Sequence, residues 1–141
     1  MRTLGIDYGM KRVGLALSDP EGRLALPYRV IERTTRHALF GELAQVVERE
    51  SVQAVVVGLP LSMDGGETLA ARQCRNFADS LARRTGLPVR LEDERLTSAE
   101  AERDLAQAGL DSRKRRQHLD AQAAALILQT HLERTWTENE C

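Results

Sequence analysis

The chain predicts an α/β fold: a central mixed five-stranded sheet, opened by a β-hairpin, continued as βαβαβ and flanked by helices. Three observations carry that expectation. Two apolar runs, Leu4–Asp7 and Val13–Ser18, flank a short turn holding Gly9, Lys11 and Arg12, which reads as a hairpin. The continuous apolar stretch Ala54-Val55-Val56-Val57 has the pattern of a strand buried on both faces. Helical periodicities alternate with strands after the hairpin, so the later strands should run parallel to the first through right-handed crossovers.

The elements follow in order. Residues 2–7 and 12–18 form the hairpin strands; alternation puts Thr3, Gly5 and Asp7 on one face and Leu4 and Ile6 on the other. Residues 24–31 form a third strand, and Pro27 suits it to a sheet edge because proline cannot donate to a ladder. Residues 36–50 carry the amphipathic stripe Leu39, Leu43, Val46, Val47. The fourth strand ends at Gly58-Leu59-Pro60, and a loop through Ser62-Met63-Asp64-Gly65-Gly66 leads to a helix over 67–85 with the stripe Ala70, Cys74, Phe77, Ala78, Leu81. Residues 88–92 form a fifth strand after the turn at Gly86. Thr97-Ser98-Ala99-Glu100 has the form of a capping box and starts a helix that ends near 108, before Gly109. The basic run Arg113-Lys114-Arg115-Arg116 precedes a last helix over 117–134. Residues 1–134 are expected to form one domain and 135–141 a polar, flexible tail.

A chain of 141 residues, 42% hydrophobic and 29% charged with a net charge of −1, suits one soluble globular domain. No apolar run approaches the roughly 20 residues of a membrane span. A strand beginning by residue 3 leaves no room for a secretory signal. The two cysteines, Cys74 and Cys141, lack metal-site spacing, and Cys74 reads as a small buried hydrophobe. A reducing, cytoplasmic setting suits both. Near-neutral charge argues against nonspecific coating of nucleic acid but leaves room for a local basic patch.

If strands 1, 4 and 5 are parallel, their C-terminal ends share one edge, where open α/β sheets usually carry their sites. Asp7, the 58–66 loop and Glu92-Asp93-Glu94 all fall there. Three consecutive acids repel one another unless a cation or base compensates. Taken alone they could be a solvated turn, with Thr97 as helix cap. Asp120 borders the apolar stripe Ala121, Ala124, Ala125, Leu128 and needs a partner; Arg116, four residues earlier, is one candidate. Considered together, carboxylates from separate elements form a cage for hard divalent cations. Mg²⁺ combines a few carboxylates with waters and phosphate oxygens. Two ions about 3.5–4 Å apart can activate a water and stabilise a leaving oxygen. His37, His118 and His131 offer no rival scheme, and His118 suits a surface role. Lys11, Arg12, Arg95 and the 113–116 run flank the acids, as a polyanion passing the site would require. With aromatics at 4%, base stacking should contribute little.

Four blocks carry a resemblance: Leu4–Asp19; Val55 to Gly65, reading V-V-V-G-L-P-L-S-M-D-G; Asp93-Glu94-Arg95-Leu96-Thr97; and Leu119 to Leu128, reading L-D-A-Q-A-A-A-L-I-L. In order and at family length they resemble the YqgF (RuvX) family of Holliday-junction-resolvase-like nucleases with a ribonuclease H-like fold. The resemblance implies a catalytic and metal-binding set of Asp7, Glu94 and Asp120, Mg²⁺ or Mn²⁺ as cofactor, and a nucleic-acid phosphodiester as substrate. It further implies a cytoplasmic role in maturing the 5′ end of pre-16S rRNA, with branched DNA as the other substrate. Ser62 departs from the family's usual asparagine, which puts a loop contact in question rather than the chemistry.

A non-catalytic RNA- or DNA-binding factor of the same fold is the competing reading. A phosphate-binding ATPase of the actin and sugar-kinase type shares the acid-glycine hairpin, but pairs two such domains in a longer chain. The sequence leaves RNA and DNA, endonuclease and exonuclease, and monomer and homodimer open.

Overall fold

The computed structural model describes residues 1–94 and 112–140, with side chains from 1–94 and 119–135. Five strands form one sheet in the order β3-β2-β1-β4-β5. β1 (Thr3–Tyr8) and β2 (Arg12–Ser18) form the antiparallel hairpin, with Asp7 opposite Gly14. β3 (Ala25–Glu32) pairs antiparallel with β2 on the outside, as Pro27 requires. The register shifts between Leu15, opposite Arg29, and Ala16, opposite Pro27. β4 (Ala54–Leu59) pairs parallel with β1, and β5 (Val89–Asp93) parallel with β4. The expected shared edge therefore exists, with Tyr8, Leu59 and Asp93 at it.

Helices cover both faces. α1 (Arg36–Arg49) is capped by Thr35 and α2 (Leu69–Thr85) by Thr68, each hydroxyl accepting from the backbone N–H three residues on. They bury Leu39, Phe40, Leu43, Val46, Cys74, Phe77 and Leu81 against Leu4, Ile6, Val55 and Val57. Cys74, Phe77, Ala78 and Leu81 are buried as expected, but the stripe's first member is Ala71, whereas Ala70, expected there, is exposed.

The third described helix, α3 (Ser112–Glu140), covers the opposite face, packing Ala124, Ala125, Ile127, Leu128 and Leu132 on Ala16 and Val56. It corrects the expected 117–134 helix at both ends. The basic run 113–116 lies in its first turns, and residues 135–140, read as a flexible tail, continue it. Neither Gly nor Pro occurs between 112 and 140, so no residue there breaks the hydrogen-bond ladder. The helix expected over 97–108 lies outside the described residues. Among those described, no helix is long and apolar enough to cross a membrane.

Candidate active site

Asp7 sits near the C-terminal end of β1, on the face that α3 covers. The β1–β2 turn beside it is closed by a hydrogen bond from Gly9 N–H to the Arg12 carbonyl, 3.0 Å. Strand alternation brings the next acids in. Glu92 and Glu94 lie on the α3 side, while Asp93 points away and is exposed. Each finds a different solution. Glu92, 5% exposed, accepts a two-pronged hydrogen bond from Arg134 on α3, at 3.0 and 2.6 Å. The neighbouring His131 Nδ1 is 3.6 Å from Glu92 Oε2, and burial pushes that imidazole's pKa down. Glu92 is therefore a structural anchor of α3.

Glu94 instead reaches Asp7. The two carboxyls share a hydrogen bond, and the site holds both pKa values up. Burial, the charge of Asp7 and the shared hydrogen bond push Glu94 to about 8. Burial, and secondarily the charge of Asp120, push Asp7 to about 6, the hydrogen bond from Glu94 opposing that rise. Glu94 thus keeps its proton and donates it to the Asp7 carboxylate. Cys74, beneath the pair on α2, is pushed up to about 12 by burial and by the charges of Glu94 and Asp7. As a free, buried thiol it is an unreactive filler.

Asp120 enters from α3. Its backbone packs on Gly14, the residue opposite Asp7 in the hairpin, and its carboxylate accepts from Arg12 Nε, at 2.6 Å. Arg12 is thus an observed partner of Asp120, while the side chain of Arg116, the expected one, lies outside those described. Two absent Cβ atoms permit this assembly. A Cβ on Gly14 would strike the backbone carbonyl of Asp120, and one on Gly58 would strike Glu94 Oε2 and Ile127 Cδ1. Neither glycine is marked as a site residue by the sequence, because a close approach between elements leaves no local signal.

Among the described residues no three His, Cys, Asp or Glu side chains stand close enough to hold an ion. Two all-oxygen donors sharing a proton, with a third alongside on a cation, nevertheless match the chemistry of a hard divalent cation. Such an ion would supply the positive charge that the proton and Arg12 supply here.

Of the predicted basic contacts, Lys11 is exposed in the turn and Arg12 pairs with Asp120. Arg95 lies outside the described residues. Sequence reading missed Arg33, which braces the turn. Its guanidinium lies 4.5 Å above the Tyr8 ring, and its Nη1 donates to the Gly9 carbonyl at 2.9 Å. Ser62, at the family's usual asparagine, works within its own loop: its hydroxyl bonds the Asp64 carboxylate and accepts from Gly66 N–H.

A mixed sheet of this order, with acids gathered at its parallel edge, is a ribonuclease H-like fold of the resolvase type. Thermus thermophilus RuvC in complex with a Holliday junction substrate shares the fold, with a TM-score of 0.62 over 96% of each chain at 17% identity. A relative from Maridesulfovibrio salexigens is 58% identical over 95% of this chain and 99% of its own. One from Nitratidesulfovibrio vulgaris is 54% identical over 94% and 93%. Both are provisionally named as pre-16S rRNA nucleases. The family model for RuvX, described as Holliday junction resolvase, matches residues 1–134. The chain belongs to the RuvX family.

Proposed function

We propose that this protein is a cytoplasmic, divalent-metal-dependent nuclease that hydrolyses nucleic-acid phosphodiesters, with pre-16S rRNA 5′-end processing as its role. The observation that carries the reading is the hydrogen-bonded contact between the Glu94 and Asp7 carboxyls from two parallel strands, with Asp120 brought alongside by α3. An arrangement that raises two buried carboxyls is costly unless a cation relieves it, and such perturbed clusters mark functional sites. The relatives' naming supports the rRNA role. The family's description as a Holliday junction resolvase favours branched DNA as the second reading.

Asp7, Glu94 and Asp120 are the residues that would hold Mg²⁺ or Mn²⁺, two ions in the full arrangement. Bound there, such ions supply an activated water and charge stabilisation at the scissile phosphate. The chain's own groups do the rest. Asp7, fixed by strand pairing, and Asp120, on a helix packed across the sheet, give the acids rigid mounts. Glu94, deprotonated, is a base beside the phosphate. Lys11, Arg12, Arg95 and the run Arg113, Lys114, Arg115 and Arg116 neutralise the backbone on either side.

Purified protein tests this directly with a pre-16S rRNA 5′ fragment and a four-way DNA junction. Asp7→Asn should abolish Mg²⁺- or Mn²⁺-dependent cleavage while binding persists. Cleavage by that variant at the parent rate refutes the site. Binding without any cleavage by the parent supports the non-catalytic reading.

A further inference from the structure

Outside the acidic edge, the face formed by α1 and α2 carries a cluster of arginines that the nuclease chemistry does not use. A ladder of stacked rings runs into it from the site. Tyr8, next to Asp7, stacks on Phe77 with centroids 4.1 Å apart, and Phe77 on Phe40 at 5.6 Å. Arg33 lies over Tyr8 at 4.5 Å; Arg36 and Arg84 lie over Phe40 at 5.1 and 4.3 Å. Arg83 joins them through Ser80, whose side chain belongs to a residue only 8% exposed. The Ser80 hydroxyl oxygen accepts from Arg36 Nη2 at 2.6 Å and from Arg83 Nη2 at 3.4 Å.

Three guanidiniums are thus gathered at one serine and one phenyl ring. Among the described residues, no carboxylate forms an ion pair with Arg36, Arg83 or Arg84. Like charges brought together repel one another, and with no carboxylate pairing them among the described residues the cluster is suited to an anion. Its geometry suits a phosphate. Stacking on a ring occupies the guanidinium's face and leaves its edge N–H donors free for bidentate bonds. All four arginines are exposed.

We propose that Arg36, Arg83 and Arg84 form a second phosphate-backbone contact, on the α1/α2 face, which holds the substrate strand where it leaves the acidic edge. Arg33, over Tyr8, bridges the two. Ser80 is a positioning residue that sets two of the guanidiniums on each other. The proposal rests on the nucleic-acid reading above and extends the substrate's path beyond the residues flanking the acids.

The test is fluorescence anisotropy with labelled single-stranded RNA and a four-way DNA junction, in EDTA, across a salt series. The triple variant Arg36→Gln, Arg83→Gln, Arg84→Gln should bind more weakly. The slope of log K against log salt should shrink by about 2 on single strands, since each lost contact releases about 0.7 of a counter-ion. The triple lysine variant keeps charge but loses stacking, and should recover most of the slope. A purely structural role would leave it as impaired as the glutamine form. Ser80→Ala, which removes one oxygen from a packed helix, should weaken binding by a smaller factor. Unchanged affinity and slope in the glutamine variant overturn the proposal, as does a parent protein that shows no salt-dependent binding. If the parent cleaves while the variant keeps its slope, the arginine site fails and the nuclease reading stands. If the parent binds through these arginines yet cleaves nothing, the reverse holds. A response with only one of the two nucleic acids identifies the strand type this face takes.

Discussion

Arg12 Nε stands 2.6 Å from Asp120 Oδ2, a bond between the hairpin turn and the last helix across 108 residues of chain. Both side chains are about a quarter exposed, 28% and 23%, so water screens the pair only in part. The guanidinium holds α3 to the hairpin and neutralises one of three converging acids.

Arg12→Gln should therefore destabilise the metal-free protein by about 1 kcal/mol, measured by urea unfolding near neutral pH. It should also leave Asp120 free to meet a cation. Added Mg²⁺ should then raise the variant's unfolding midpoint by more than it raises the parent's. Equal gains would show that Arg12 does not compete for Asp120.

Asp7 and Glu94 give the protein a stability that depends on pH in a defined direction. Both carboxyls bind their protons more tightly folded than unfolded, with values of about 6 and about 8. The unfolded chain releases these protons first, so it binds fewer protons and stability falls as pH rises. The contribution is whole below about pH 4 and is lost progressively up to about pH 8. Thermal melts of metal-free protein should show this decline, and Glu94→Gln should flatten it. A divalent cation should restore stability at the alkaline end, a readout independent of cleavage.

Gly58→Ala places a methyl group against Glu94 Oε2 and Ile127 Cδ1. The glutamate can swing aside, but the isoleucine is part of the α3 core. Cleavage should drop by one to two orders of magnitude, with a stability loss of about 1–3 kcal/mol by denaturant titration. Full activity with unchanged stability would mean that the close approach is not needed.

Arg134→Ala strips Glu92 of its two-pronged partner and leaves a nearly buried carboxylate beside His131. Removing one member of a buried pair costs more than the pair itself contributes. Arg134 is 56% exposed, so solvent offsets part of that, and about 2 kcal/mol is expected in urea unfolding. Cleavage below the unfolding transition should stay near the parent's rate, which separates Glu92 from its neighbour Glu94.

Local pattern gave away much of the architecture. The alternation of Leu4 and Ile6 with Thr3, Gly5 and Asp7, the both-faces-buried Val55–Val57 and the edge-seeking Pro27 each follow from a periodicity that a few residues express. Errors fell where the signal was thin. Ala70 and Ala71 differ only in helical phase, and alanine carries little of it. α3 extends beyond the expected span because polar residues at its ends mask a stretch free of helix breakers.

The candidate site was legible as a list of acids but not as an arrangement. Glu92, Asp93 and Glu94 are chemically alike in sequence, yet one anchors α3, one faces outward and one shares a proton with Asp7. That division depends on Arg134, which comes from another element, and on the sheet face each residue occupies.

The sequence by itself determined the five strands, the first two helices, the parallel edge, and the family whose motifs hold Asp7, Glu94 and Asp120. Those properties depend on neighbours in the chain. Tertiary structure alone decided that Arg12 pairs with Asp120, that Gly14 and Gly58 make room for the acids, and that Arg36, Arg83 and Arg84 meet around Ser80. Each is a contact between distant segments, whose partners are chosen by packing geometry and charge in three dimensions.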